Sequence, residues 1–116
     1  MKKKEEIYTM LSKEFNLPTI IHQKAIIEPS ASISNGCQIM AGAIIGSNTV
    51  VKENCIINSG AIISHDSVIE SSSHVTPGAI IAGHVEIGSR TIIGMGVTLY
   101  VGLKVGSDVL IYNGIS

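Results

Sequence analysis

Aliphatic residues recur every six positions along this chain. Stepping from Ile21 gives Ile27, Ile33, Ile39, Ile45, Val51, Ile57, Ile63, Ile69, Val75, Ile81, Ile87, Ile93, Leu99, Val105 and Ile111. All sixteen are aliphatic, fifteen are β-branched, and no insertion breaks the register through to Ser116. Self-similarity at a fixed short period is the signature of a repeat architecture, and β-branched side chains favour strands.

The other positions of the hexad give the repeat its shape. Numbering Ile21 as position one, position five is small or apolar, as at Ala25, Ala31, Cys37, Ala43, Thr49, Cys55 and Ala61. Positions five and one are two apart, so both point inward from one short strand. Position four carries Gly36, Gly42, Gly60, Gly78, Gly96, Gly102 and Gly114, with Asn48 and Asn54. A type II turn needs positive φ there, which Gly and Asn accept cheaply. Pro29 and Pro77 fall at position three, the first central residue of such a turn, where proline is favoured. Strand and turn alternating every six residues predict an all-β chain, a parallel β-helix in which three hexads close one triangular coil of 18 residues. Coils then stack at the strand spacing of about 4.8 Å.

The repeat occupies residues 21–116, and residues 1–20 read as a helix and linker. Ile7, Met10, Leu11 and Phe15 share a helical face and Pro18 stops the run. The expected place for this helix is on the first coil, covering an open sheet edge. At 116 residues there is one domain at most. The formal net charge is −1 without a block of one sign, which excludes the electrostatic footprint of a nucleic-acid or anionic-membrane binder. No apolar h-region follows the opening MKKKEE, and no apolar run approaches the roughly 18 residues of a membrane span. A cytoplasmic protein is expected.

Position six points outward, and residues 18 apart share a face. One face then carries Ile26, Ile44, Ile62 and Ile80, and a second carries Ile56, Ile92 and Leu110 with His74 in the same line. Stripes of this length call for burial. A triangular prism with two apolar faces closes by threefold symmetry, so a homotrimer is expected. His65 lies on the corner after the Ile62 face, and His74 lies on the face opposite that corner. The two imidazoles can meet only across a subunit boundary. Gly83, one coil above His65, is a glycine at position three, which leaves its amide unobstructed on the same corner.

These residues sit in the stretch NSGAIISHDSVIESSSHVTPGAIIAGHVEIGS, which resembles the core motif of the hexapeptide-repeat acyltransferases. Among these it looks like the bacterial sugar O- and N-acetyltransferases of sialic-acid and bacillosamine-type pathways, whose fold is a left-handed β-helix. The resemblance implies transfer of an acetyl group from acetyl-CoA to an amino or hydroxyl group of a sugar or nucleotide-sugar. It implies His65 as general base, Asp66 raising its basicity, and Gly83 N–H polarising the thioester carbonyl. It further implies His74 of a neighbouring subunit against the cofactor, Asn58 holding the acceptor site, and backbone groups of Met95 and Asn113 along the pantetheine channel. No metal is implied.

Two features depart from that family. No Gly-rich strand–turn–helix motif of a nucleotide-sugar-binding domain is present, and the sequence ends at YNGIS without a further coil. Only the catalytic domain is therefore matched. The alternative reading is a non-catalytic trimeric β-helix scaffold, or a truncated or degenerate subunit lacking the sugar-binding domain. A zinc enzyme on this fold needs three converging imidazoles, which the His22, His65, His74 and His84 spacings do not match. Cys37 and Cys55, stacked inward, are expected as reduced core thiols, and His84 and His22 as solvated turn residues.

Overall fold

The computed structural model describes residues 2–12 and 17–114. Phe15, expected on the helical face, lies outside the described residues. Each hexad folds as its pattern requires: positions six and one form a two-residue strand, and positions three and four form the turn. Sixteen such strands, from Ile20–Ile21 to Leu110–Ile111, make three parallel sheets of six, five and five strands. Every pairing joins residues 18 apart, as in Ile56↔His74↔Ile92 on the first face, Ile44↔Ile62↔Ile80 on the second and Val50↔Val68↔Glu86 on the third. The result is a left-handed parallel β-helix of triangular section.

The core is a stack of position-one aliphatics, with no aromatic ring in it. From Ile39 to Leu99 every such residue is buried, and position five fills the space between them. Burial weakens towards both ends of the stack, where Ile21 is 48% exposed. At position four, φ is positive from Gly36 to Gly114 without exception. Gly and Asn account for only part of this series. Asp66, Ser72, His84, Arg90 and Asp108 adopt the same left-handed conformation. Asp and His tolerate it better than most residues, and the coil-to-coil hydrogen bonds hold the rest there.

Position five has a second role that the hydrophobic pattern conceals. Its polar side chains donate to the carbonyl 15 residues on: Thr49 to Ser64 (2.7 Å), Ser67 to Ala82 (3.0 Å), Ser73 to Gly88 (2.7 Å) and Thr91 to Gly106 (2.7 Å). Several also accept the N–H 18 residues on, as Ser73 Oγ does from Thr91 N at 3.1 Å. The two cysteines join this ladder, Cys37 Sγ reaching Lys52 O and Cys55 Sγ reaching Glu70 O, both at 3.0 Å. Both thiols are free and buried, and the side-chain hydrogen bond with Cys37, followed by burial, pushes the Cys55 thiol well above its ordinary pKa. Among the described residues no buried side-chain nitrogen or oxygen lacks a partner.

The N-terminal helix α1 (Lys2–Ser12) differs in position from the sequence expectation. It does not lie across the first coil. It runs along the corner between the third and first faces, touching successive coils. The Tyr8 ring packs onto Gly36, where a side chain would leave it no room, Lys4 Nζ donates to Asn54 O and Asn54 Oδ1, and Glu5 pairs with Arg90 at 2.9 Å. Arg90 also forks onto Asp108 at 2.8 and 3.2 Å. Lys4 and Tyr8, four apart, thus define the docked face together with Ile7 and Leu11, while Met10 is 61% exposed. The polar anchors to the turns add to an apolar side, where Ile7 and Leu11 share a cavity with Pro18, Ile20 and Cys37. No described helix is long and apolar enough to cross a membrane.

Candidate active site

The turn after the second face carries His65 and Asp66 at positions three and four. Asp66 takes positive φ of 57°, which turns its carboxylate back onto the preceding ring. His65 Nδ1 meets Asp66 Oδ2 at 2.8 Å. Donation to the carboxylate places the proton on Nδ1 and leaves Nε2 as an open acceptor, the arrangement a general base needs. The ring is about half exposed.

One coil above, Gly83 lies against this ring. A β-carbon at residue 83 would come within 2.7 Å of both His65 Cε1 and Nε2. The absent side chain is therefore what lets the imidazole occupy the corner. Among the described residues nothing accepts a hydrogen bond from Gly83 N–H. Gly83 does not have positive φ, so its role is space and not backbone freedom.

His74 stands mid-strand on the first face, between Ile56 and Ile92. Its Nε2 lies 3.0 Å from Asn58 Nδ2. Ser59 N donates to Asn58 Oδ1 at 2.7 Å, which fixes the amide with its NH2 group towards the histidine. Asn58 must then donate, so Nε2 is unprotonated and the neutral ring carries its proton on Nδ1. Burial, and to a smaller extent the Lys4 ammonium, hold the His74 pKa below its ordinary value.

Met95 and Asn113 share the corner between the first and second faces. Asn113 Oδ1 accepts from Met95 N at 2.9 Å, and Gly114 N donates to Met95 O at 2.8 Å. The Met95 amide is thus engaged by its neighbour one coil up.

Within one chain the sequence-selected residues fall into two groups. His65, Asp66 and Gly83 meet on the corner between the second and third faces. Asn58 and His74 meet on the first face, with Met95 and Asn113 on the corner that follows it. Asn58 is committed to His74 and the Ser59 amide, and it makes no contact with His65. Sequence reasoning missed His84. Expected as a solvated turn residue, it is exposed but stands edge-on to His65, ring centroids 5.2 Å apart and planes at 88°. The spacing carried the signal: 65 and 84 are 19 apart, which is one coil plus one turn residue.

The family model for the bacterial transferase hexapeptide (six repeats) matches residues 18–53 and 30–65. No curated protein matches the sequence. Among solved structures, the acetyltransferase domain of PglB from Neisseria gonorrhoeae is 32% identical with a TM-score of 0.91, covering 96% of this chain and 54% of that one. That domain has also been solved with acetyl coenzyme A. PerB from Caulobacter crescentus, solved with CoA and GDP-perosamine, is 29% identical with a TM-score of 0.91, covering 96% of this chain and 54% of that one. Francisella novicida UDP-N-acetylglucosamine acyltransferase is 25% identical with a TM-score of 0.73, covering 80% and 41%. The chain spans about half the length of the PglB domain and PerB. Its hexads are similar to those of this family model over residues 18–65.

Proposed function

We propose that this hexapeptide-repeat chain transfers an acetyl group from acetyl-CoA to an amino or hydroxyl group of a nucleotide-sugar, in the cytoplasm, at sites shared between the subunits of a homotrimer. The observation that carries this reading is the His65–Asp66 pair, with its free Nε2 beside the bare Gly83 corner. His65 Nε2 takes the proton from the acceptor N–H or O–H as that atom attacks the thioester carbonyl carbon. Gly83 N–H stabilises the oxyanion that forms. Collapse breaks the carbon–sulfur bond, and the imidazolium returns its proton to the departing thiolate. Asp66 stabilises the imidazolium in between.

The two-group division within one chain supports the trimer. His65 and His74 belong to opposite sides of the prism, and only a neighbour can bring a His74 to a His65. The outward stripes support the same assembly: Ile26 is 57% and Ile80 43% exposed on the second face, and Leu110 53% on the first. Asn58 then acts by holding the neighbour-facing His74, and Met95 and Asn113 lie further along the donor's path. CoA and GDP-perosamine in PerB, and acetyl coenzyme A in the PglB domain, support the classes of donor and acceptor.

The test is calorimetric binding of acetyl-CoA to protein of known mass in solution, comparing wild type with His74→Ala. Binding by a trimer that weakens in the variant is expected. A folded trimer that does not bind acetyl-CoA would favour a scaffold. His65→Ala is expected to lower transfer about 10²–10⁴-fold, as loss of a general base does, without loss of donor binding.

A further inference from the structure

The corner that carries His65 and Asp66 holds a third ligand-type side chain, His84, one coil above. One ring nitrogen from each histidine and an Asp66 carboxylate oxygen lie within 4.8 Å of one another. Among the described residues no other three metal-ligating side chains are gathered this way. We propose that this corner binds a divalent transition-metal ion of the zinc class, with His65, Asp66 and His84 as its ligands.

The chemistry of the donor set suits such an ion. Two neutral imidazoles and one carboxylate bind Zn²⁺, Co²⁺ or Ni²⁺, whereas Mg²⁺ and Ca²⁺ select sites built from oxygen. Bonds of about 2.0–2.2 Å in a tetrahedral site hold donor atoms roughly 3.3–3.6 Å apart. Side-chain rotation closes the remaining distance, since both histidines are exposed and Gly83 puts no side chain between them. The backbone beneath is already fixed. His84 N donates to His65 O at 3.1 Å, and both Asp66 and His84 hold a φ of 57°. The stacked turns thus present their ligands from one rigid corner, with a fourth coordination position open to water.

The consequence for activity rests on the acetyl-transfer reading above. The ring that would ligate the metal is the ring that would serve as base. Coordination draws His65 and Asp66 together onto the ion and removes the pair from proton transfer. The metal is thus an inhibitor and His84 the residue that makes inhibition possible.

Titration with Co²⁺ tests the site without any assay of activity, through its visible absorption in a tetrahedral site and displacement by Zn²⁺. One Co²⁺ per chain is expected, unaffected by excess Mg²⁺. Affinity should fall at least tenfold in His84→Asn, which keeps a residue tolerant of positive φ, and stay unchanged in His22→Asn. Absence of saturable Co²⁺ binding would overturn the proposal. So would equal affinity in His84→Asn, or binding lost in His74→Ala and retained in His84→Asn. In the acetyl-transfer assay, Zn²⁺ should inhibit wild type reversibly by chelation and His84→Asn at least tenfold more weakly. Equal inhibition of both would overturn the regulatory role.

Discussion

Gly83 and His65 are in contact because one of them has no side chain. The space a β-carbon would take at residue 83 is filled by the imidazole edge, at 2.7 Å from Cε1 and Nε2. Gly83→Ala should therefore push the ring off the corner. The ring is exposed and free to turn away, and residue 83 does not need positive φ, so stability should change by no more than about 0.5 kcal/mol. Transfer should fall on the order of 10²-fold, the usual effect of misplacing a reacting group by about an ångström. Denaturation and initial rates on the same preparation separate the two. Equal loss of both would remove the ring-positioning role.

Ser73 tests the buried polar ladder. Its hydroxyl serves Gly88 O and Thr91 N, both inside the prism. Ser73→Ala leaves both groups without that partner, and the expected cost is about 1–3 kcal/mol. Ser73→Cys should cost less, because Cys37 and Cys55 already fill equivalent positions with thiols that reach a carbonyl at 3.0 Å. Urea midpoints for the two variants give the order. A Cys variant weaker than Ala would mean that volume, not hydrogen bonding, governs these positions.

The period of six made the coil, the inward positions and the turns legible, because each depends on a residue's place in the hexad. Ile57 is buried for the same reason as Ile63 and Ile69. What escaped the sequence lies in relations between coils. The thiols of Cys37 and Cys55 read as apolar filler, since a donor's partner 15 residues away leaves no local mark. His84 read as a lone turn residue until its coil was stacked on that of His65. The docked face of α1 was read only in part: Ile7 and Leu11 line it, but Lys4 and Tyr8 were not foreseen. Their partners are turn groups such as Asn54 and Gly36, which an apolar moment does not register. In the candidate site, the motif singled out His65, Asp66, His74 and Gly83, while the pairing of Asn58 with His74 needed coordinates.

Asn54 joins the helix to the prism and also turns the chain. Its φ is 62°, its Nδ2 donates to Ser72 Oγ at 3.0 Å, and it accepts from Lys4. Asn54→Ala should lose those bonds and force alanine into the left-handed region, for a total of about 2–4 kcal/mol. Asn54→Gly removes the same bonds without the steric cost and should be milder by about 1 kcal/mol. Thermal denaturation of the pair isolates the backbone contribution. Equal destabilisation would show that the turn stores no conformational preference at this residue.

His74 gives the fold a specific pH dependence. Its pKa is held down by burial and by Lys4, so the folded chain keeps it neutral where the unfolded chain protonates it. The unfolded state then binds more protons below the ordinary histidine pKa of about 6.5, and stability falls as pH drops from there towards the lowered value. His74→Gln should flatten that segment of the stability–pH curve relative to wild type. Asn58→Asp should reverse its sign. A carboxylate at Nε2 favours the imidazolium and raises the pKa, so stability would be greatest at low pH and lost as pH rises through the new value. Nitrogen NMR of His74 reads both the pKa and the tautomer directly. Protonation at Nε2 in the wild type would overturn the assignment of Asn58 as donor, and with it the sign of both effects.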